Sequence, residues 1–341
     1  MDNLSPATVR DVARVAAVSP STVSLVMNGG RAREATRLRV QDAARKLRYV
    51  PQNHGRGLRS GRSHTIGFFI LNTREVDDLS SEAADFWYQL IRGTQAECKA
   101  HDYYFSFESF CWDNAGDLVY RALSRSNDGA IIVPQYRHHY TFVGELEASG
   151  YPFAMYNPWI PVGEARTVMT DDRDAQRRLT EYVLSLGHEL IAFINGPRDH
   201  VDSQHRYAGY LEAHTPYRVI PDERLVRWSD LTVHGGYTAT DDLFEHSSVR
   251  PTAIVCGNDY LAVGAIHSLR RRGVRVPEDV AVTGYGDHDV SRSVIPQLTT
   301  VTLPVRQIGE SLAGKLFAQI GGEPDTGEVR FVPELVIRES T

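Results

Sequence analysis

The chain has 341 residues, of which 42% are hydrophobic, and this length is enough for two or three domains with sizeable cores. We expect no membrane segment and a cytoplasmic location, because there is neither an apolar run of about 18 residues nor an apolar N-terminal signal. The three cysteines, Cys98, Cys111 and Cys256, lack the spacing of metal ligands, and the net charge of −6 argues against a uniformly basic nucleic-acid binder.

The charge is distributed unevenly along the chain. Residues 1–63 contain twelve Arg and Lys but four Asp and Glu, which gives this segment a formal charge of +8. Because the whole chain carries −6, the remaining residues carry −14. A small basic head on an acidic body is typical of a protein whose N-terminal domain contacts phosphates.

Two short helices joined by a tight turn are predicted within residues 8–28. Thr8 is placed to cap the first helix, with Asp11 three residues later as an acidic form of the capping box. Ser19 is placed to cap the second helix, and Pro20 occupies its first position. The outward-facing side chains of the second helix are Pro20, Ser21, Ser24 and Leu25. The pattern indicates a helix-turn-helix whose second helix enters a DNA major groove, although an ordinary helical hairpin has the same pattern.

A third helix is predicted at residues 34–47, where apolar side chains recur at one-turn spacing and a proline follows. We therefore place a DNA-binding headpiece at residues 1–50. Residues 51–64 are polar, basic and rich in glycine, which is the composition of a flexible linker. Leu58 is unusual there, because it is a large apolar side chain among arginines.

From Thr65 onward, short apolar runs alternate with helical patterns, and the alternation begins again near residue 190. Buried strands that alternate with helices predict parallel sheets built from βαβ units. We therefore expect two doubly wound α/β subdomains, at residues 65–168 and 169–297.

Ligands of open α/β sheets bind at the carboxyl ends of the strands. Polar or aromatic segments follow four of the predicted strands or open the helix after them: 86–88, 196–206, 258–259 and 285–287. We expect these segments to meet in one cleft between the two subdomains.

A series of short motifs occurs in order through the head, the linker and the body. They are D-V-A-x-x-A at 11–16, V-S-x-S-T-V-S at 18–24, R-G-L-R-S-G-R at 56–62, D-G-A-I-I-V-P at 128–134, S-L-G-H-E-L-I-A-F-I at 185–194, N-D-Y-L-A-V-G-A-I at 258–266 and V-P-E-D-V-A-V-T-G-Y at 276–285. Together these motifs make the chain resemble the LacI/GalR family of bacterial transcriptional regulators.

The resemblance implies a sequence-specific repressor that binds double-stranded operator DNA as a homodimer. It implies a periplasmic-binding-protein-like body, in which a small sugar or sugar derivative binds and changes the operator affinity. It implies no enzymatic activity, no cofactor, no metal site and no membrane partner. We expect the last segments to return to the subdomains, about 298–325 to the first and about 326–341 to the second. No leucine heptads follow, so we expect a dimer rather than a tetramer.

On this resemblance, the DNA contacts are expected from Thr8, Pro20, Ser21, Thr22, Ser24, Leu25, Asn28, Arg56, Leu58 and Arg59. Leu58 is expected to wedge into the minor groove, since an apolar side chain inserted between base steps kinks the duplex.

The effector contacts are expected from Phe86, Trp87, Arg206, Asn258, Asp259 and Asp287. Arg206 aligns with the effector-binding arginine of the family, and its planar guanidinium suits vicinal hydroxyls or a carboxylate. Alternatives remain for four of these residues: an ion pair within the subdomain for Arg206, core packing for Phe86 and for Trp87, and helix capping for Asp259.

Three positions depart from the family pattern. Ala17 replaces the usual glycine of the turn, and alanine can be accommodated there if φ stays negative. Leu25 replaces an arginine that is common in the reading helix, so the preferred bases should differ. The resemblance also implies that the linker folds into a short hinge helix on specific DNA, and Gly55 and Gly57 make this helix more expensive to form.

Two other classes of protein share parts of this pattern. A solute-binding protein has the same body, but it would leave the basic head unexplained. A sugar-modifying α/β enzyme would need a nucleophile with its base, a phosphate loop or metal ligands, and the sequence offers none of these arrangements.

Overall fold

A computed structural model describes residues 7–27, 30–49, 62–72, 84–111, 115–124, 126–136, 140–323 and 327–341. The chain divides into two compact units, Met1–Ser63 and His64–Thr341, which we call the headpiece and the body. In these described ranges, no helix has the length and apolar character needed to cross a membrane.

The headpiece contains three helices, α1 (Val9–Ala16), α2 (Pro20–Met27) and α3 (Glu34–Lys46). The predicted capping box is present at α1, because the Thr8 hydroxyl accepts the Asp11 N–H at 3.4 Å and the Asp11 carboxylate accepts the Thr8 N–H at 3.0 Å. The helices share a small core of side chains at one-turn spacing: Val12, Ala13, Ala16, Val23, Val26, Val40, Ala43 and Ala44.

The turn between α1 and α2 differs from its prediction. Ala17 has φ 52° and ψ 50°, in the left-handed region, so the negative φ on which its accommodation was expected to depend is not found. The Val18 N–H donates to the Ala13 carbonyl at 3.0 Å and the Ala17 N–H donates to the Arg14 carbonyl at 3.3 Å. These two bonds form a Schellman motif, which requires the left-handed residue and normally places glycine there.

The first subdomain of the body is a parallel sheet covered by helices. Its elements along the chain are β1 (Thr65–Asn72), α4 (Ala84–Ala100), β2 (Tyr104–Cys111), α5 (Ala115–Leu123), β3 (Gly129–Pro134), α6 (Val143–Ser149), β4 (Phe153–Tyr156) and β5 (Thr167–Thr170). With β11 (Val329–Phe331), the strands lie in the order β11-β5-β4-β3-β1-β2. Every residue of β3 is buried, as expected for a strand with helices on both faces.

The second subdomain repeats this architecture with a four-stranded parallel sheet. Its elements are α7 (Asp172–Ser185), β6 (Ile191–Asn195), α8 (Val201–Ala213), β7 (Val226–Trp228), α9 (Val233–His246), β8 (Ala253–Cys256), α10 (Asp259–Arg271), β9 (Ala281–Thr283) and α11 (Asp289–Ser293). The strand order is β7-β6-β8-β9. The predicted fold, a helical headpiece followed by two doubly wound α/β subdomains, is therefore confirmed.

The last segments of the chain connect the two subdomains. β10 (Thr300–Thr302) pairs antiparallel with β12 (Glu334–Val336), while α12 (Val305–Gly321) packs against α4 in the first subdomain. The helices approach closely at Gly93, where an added Cβ would lie 2.0 Å from the Arg306 carbonyl oxygen. Because β11 pairs with β5, the chain leaves the first sheet after Phe331, later than the boundary of about 326 drawn from the sequence.

Candidate functional site

The outer face of α2 presents small polar side chains and one leucine. Pro20, Ser21 and Leu25 are exposed, with 48% of Leu25 accessible, while Thr22 and Ser24 are half-buried. This face is not used by the headpiece core, so its side chains remain accessible within the headpiece for contact with another molecule.

Part of the polar character of α2 is used to begin the helix. The Ser19 hydroxyl accepts the Thr22 N–H at 3.1 Å and lies 2.8 Å from the Thr22 hydroxyl and 2.7 Å from the Ser21 hydroxyl. The prediction that Ser19 caps α2 is confirmed. Thr8 has a similar structural task at α1, where its hydroxyl donates to Asp11 at 2.7 Å. Four predicted DNA contacts, Asn28, Arg56, Leu58 and Arg59, lie outside the described residues.

The body contains a cavity of about 190 Å³ between its two sheets. Since one water needs about 15 Å³, the cavity has room for a small organic molecule. Its walls come from the carboxyl ends of strands in both subdomains and the helices that follow them: Phe86, Trp87, Val133, Pro134, Gln135, Tyr136, Tyr156, Asn157, Pro197, His200, Asp202, Arg206, Asp230, Leu231, Thr232, Asn258, Tyr260, Tyr285, His288 and Leu303.

Arg206 is the central charged side chain of this cavity, and it is only 7% exposed. Its Nη1 donates to the Gly257 carbonyl at 2.8 Å, and its Nη2 donates to Asp172 Oδ1 at 3.3 Å. The same Nη2 lies 3.7 Å from Asp202 Oδ2, and the guanidinium carbon lies 4.2 Å from the centroid of the Tyr285 ring. Burial by itself would lower the pKa of Arg206, but Asp172 and Asp202 raise it above its usual value.

Asp172 holds this arginine from behind the cavity wall. The carboxylate is fully hydrogen-bonded: Oδ1 accepts from Arg206 and from the Tyr285 hydroxyl at 2.7 Å, and Oδ2 accepts from the Thr170 hydroxyl at 2.6 Å and Asn157 Nδ2 at 2.9 Å. A buried carboxylate is tolerated when its oxygens are satisfied in this way. Burial and the charge of Asp172 also raise the pKa of Tyr285, so its hydroxyl remains a donor.

The first turns of α8 contact the first subdomain directly. Asn157 Nδ2 donates to Asp202 Oδ1 at 3.2 Å, so one amide joins carboxylates of two helices. Two aromatic pairs cross the cleft near this bond: Tyr136 with His200 at 5.4 Å between ring centroids, and Trp159 with His205 at 5.5 Å. The relative position of the subdomains is thus set on this side by α8.

Comparison with known proteins agrees with both units. Residues 8–52 match the family described as bacterial regulatory proteins, lacI family, and residues 180–341 match a periplasmic binding protein-like domain. The HTH-type transcriptional repressor CytR of Escherichia coli strain K12 is 30% identical over 98% of this chain and 96% of its own length. The chain belongs to the LacI family. It is a DNA-binding transcriptional regulator rather than an enzyme.

Solved structures of LacI-family proteins superpose over nearly the whole chain. The lac repressor dimer bound to operator and the anti-inducer ONPF is 25% identical, with a TM-score of 0.86 over 99% of both chains. The complex of the transcriptional regulator CelR with cellobiose is 29% identical, with a TM-score of 0.73 over 98% of this chain and 100% of that one.

Four of the six predicted effector residues line the cavity: Phe86, Trp87, Arg206 and Asn258. Trp87 also belongs to the hydrophobic core, where it is 3% exposed and packs edge-on against Phe68. Arg206 lies in the second turn of α8 and not in the loop predicted at residues 196–206, because that helix already begins at Val201. Asn258 is the N-cap of α10, with its Oδ1 accepting the Leu261 N–H at 2.8 Å.

The other two predicted residues have different environments. Asp259 is fully buried and accepts the Thr300 hydroxyl at 2.6 Å and the His288 backbone N–H at 2.7 Å. Asp287 lies outside the cavity lining, with its carboxylate held by Arg338 and Arg292 at 2.5 Å each. These ion pairs lower the pKa of Asp287, although burial opposes that shift.

Several residues of the cavity were not identified from the sequence. Asp202 precedes Arg206 by four residues, a spacing that would have placed both on one helical face if the start of α8 had been recognised. Asp230 and Thr232 follow the short strand β7, which has no periodic signal. Asp172 begins α7 directly after β5, where its sequence suggests only a favourable acidic residue in the first helical turn.

Proposed function

We propose that this protein is a cytoplasmic repressor that binds operator DNA as a homodimer and responds to a sugar. The observation that carries the proposal is the presence, in one LacI-family chain, of a capped reading helix with an accessible outer face and of a ligand-sized cavity. The similar proteins include a lac repressor dimer bound to operator and a transcriptional regulator in complex with cellobiose.

In the headpiece, we propose that α2 reads the major groove through Ser21, Ser24 and Leu25, with Pro20 packed at its edge. Leu25 offers apolar contact, for example to a thymine methyl, and not the bidentate guanine contact of an arginine. Thr8, which caps α1, and Thr22, whose N–H and hydroxyl lie against the Ser19 cap of α2, are proposed as phosphate contacts. Asn28 and the linker residues Arg56, Leu58 and Arg59 complete the proposed DNA surface, with Leu58 as the minor-groove wedge.

In the body, we propose that the sugar stacks on Phe86 and Trp87 and that Arg206 donates to its hydroxyls. Asn258 is proposed as a further contact through its side-chain amide. Asp259 and Asp287, which we expected to be effector ligands, are assigned a supporting role, because their carboxylates are bound by protein groups.

A ligand in this cavity would touch both subdomains, and therefore favours one arrangement of them over others. The same arrangement determines how the two linkers of a dimer are presented to DNA. The coupling free energy between sugar and operator is then limited by the difference in sugar binding free energy between the two arrangements. Coupling free energies of about 1–3 kcal/mol are typical.

The proposal is tested by gel retardation of the DNA upstream of the gene for this protein, at low salt, with and without candidate sugars. We expect the purified protein to retard this DNA and not an unrelated fragment of the same length, and one sugar to change the affinity. Failure to retard the upstream DNA at any protein concentration below the non-specific range would refute the repressor function.

Two leucine-to-alanine variants, at positions of similar exposure, distinguish the loss of a DNA contact from a loss of headpiece stability. Leu25 is 48% exposed on α2 and Leu38 is 53% exposed on α3. Leu25→Ala should weaken specific retardation, whereas Leu38→Ala should leave it unchanged. Equal effects of both substitutions would exclude α2 as the reading helix.

A further inference from the structure

The cavity of the body is surrounded by more carboxylate than cationic charge. Asp202 and Asp230 line it, and Asp172 lies directly behind its wall. Among the described lining residues, Arg206 is the one arginine, and no lysine is present. Because Arg206 is shared by Asp172 at 3.3 Å and Asp202 at 3.7 Å, its positive charge is already compensated. These four groups have a formal charge of −2.

The two histidines of the cavity do not reverse this sign. His200 is 9% exposed, and its burial lowers its pKa and so disfavours a positive charge on the ring. His288 Nδ1 lies 3.0 Å from Asp259 Oδ2, so any positive charge on His288 meets an equal negative charge beside it. An anionic ligand would therefore find no uncompensated cation among the described residues that line the cavity.

The wall also contains buried polar atoms that have no hydrogen-bond partner within the described part of the chain: Arg206 Nε, His200 Nδ1 and Gln135 Oε1. The guanidinium N–H needs an acceptor, whereas the amide oxygen needs a donor. A hydroxyl group supplies both roles, but the oxygens of an ionised carboxylate or phosphate only accept. The unpartnered atoms thus match a ligand that carries several hydroxyl groups.

The remaining wall is largely aromatic, with side chains from both subdomains: Phe86, Trp87, Tyr136, Tyr156, Tyr260 and Tyr285. Aromatic faces pack well against the C–H faces of a sugar ring, but they do not compensate a negative charge, since the face of the ring is itself negative.

We propose that the ligand of this cavity is an uncharged sugar, and that sugar acids and sugar phosphates are rejected. The inference rests on the proposed function, in which a sugar occupies this site. Of the two ligand groups that suit the Arg206 guanidinium, vicinal hydroxyls and a carboxylate, the proposal favours the hydroxyls. Asp202 and Asp230 act as specificity-determining residues, because an anionic ligand would have to lose its hydration beside them.

The test is titration calorimetry of the full-length protein with matched compounds: glucose, glucuronate and glucose 6-phosphate; galactose and galacturonate; ribose and ribose 5-phosphate. In the series whose neutral member binds, we expect each anionic member to bind at least tenfold more weakly. Asp230→Asn should reduce the ratio between the Kd of the anionic member and that of the neutral member at least threefold. The substitution removes one negative charge at the exposed rim, and the asparagine amide oxygen can still accept from the Thr232 hydroxyl. Asp117→Asn, the same change on the exposed side of α5, should leave the ratio unchanged.

A sugar acid or sugar phosphate that binds as tightly as its neutral parent would overturn the inference, and so would the absence of binding by every neutral member. A narrowed ratio in Asp117→Asn as well as in Asp230→Asn would also count against it, because the effect would then come from overall charge. If a neutral sugar binds and operator retardation does not respond, the ligand class stands and the regulatory function fails.

Discussion

Replacement of Ala17 by glycine should stabilise the headpiece, although it removes a methyl group. Ala17 is exposed and has φ 52°, so the methyl makes no core contact and stands in a left-handed conformation. That conformation costs a residue with a Cβ about 1–2 kcal/mol. Glycine does not have this conformational cost, but it lowers the free energy of unfolding by about 0.5–1 kcal/mol because it gives the unfolded chain greater freedom. We expect a net gain of about 0.5–1 kcal/mol from these two terms.

Hydrogen exchange measured by mass spectrometry is the suitable assay, because it reports the opening of the headpiece within the full-length protein. A gain of about 0.7 kcal/mol corresponds to exchange about threefold slower, since 1.36 kcal/mol is a factor of ten. The slower exchange should occur in peptides that cover α1 and α2, and peptides of the body should not change.

Ala16 provides the matched control, because it is the preceding residue and has an ordinary helical conformation. It is 4% exposed in the headpiece core, so Ala16→Gly should destabilise by about 1 kcal/mol for helix propensity alone. If Ala17→Gly accelerates exchange as Ala16→Gly does, the left-handed turn is not strained and the reasoning is wrong.

Further predictions concern the body, the linker and the reading helix. Arg206→Ala should abolish the response to sugar and destabilise the body by about 3–5 kcal/mol, because Asp172 loses its buried partner. In urea unfolding, Arg206→Lys should retain part of the stability that Arg206→Ala loses. Equal stability of the parent protein and the two variants would contradict the role of the ion pair. Burial lowers the pKa of His200, His188 and His214, so the stability that depends on their neutral form is complete above about pH 6.5 and is lost as the pH falls below it. The free energy of unfolding measured with urea should therefore be lower at pH 5.5 than at pH 7.5, and His200→Gln should reduce this difference. An unchanged difference in the variant would exclude His200 as a contributor. Leu58→Ala should weaken specific operator binding and leave sugar binding intact, and unchanged operator affinity in anisotropy titrations would exclude the wedge. Leu25→Arg should shift the preferred operator toward guanine at one position per half-site when binding is selected from a randomised DNA pool, and an unaltered selection would show that residue 25 does not face the bases.

The parts of the fold that depend on local signals could be predicted from the sequence. Thr8 and Ser19 were recognised as caps because a cap acts over three residues. The long apolar runs were recognised as buried strands because their helices cover both faces. The strand β11 could not be recognised from the sequence. Its three residues, Val329–Phe331, form a strand only by pairing with a distant strand, Thr167–Thr170.

The site was predictable in outline but not in its bonding. Arg206 was identified through the family, yet its partner Asp172 lies 34 residues away and nothing in the sequence links the two. Asp259 follows a strand end as an effector ligand should, but the packing of β10 brings Thr300 to its carboxylate. The conformation of Ala17 was missed because the hydrogen bonds of the turn outweigh the local preference of alanine.

The bonding of Arg206 restricts how the ligand preference of this protein could change during evolution. The side chain that faces the cavity also connects the Gly257 carbonyl, at the end of one strand, to Asp172, at the start of a helix. A mutation at this position that altered recognition would therefore also reduce the amount of folded protein. Changes in ligand specificity are expected to arise first at rim positions such as the exposed Asp230, where a substitution can alter ligand preference without unfolding the protein.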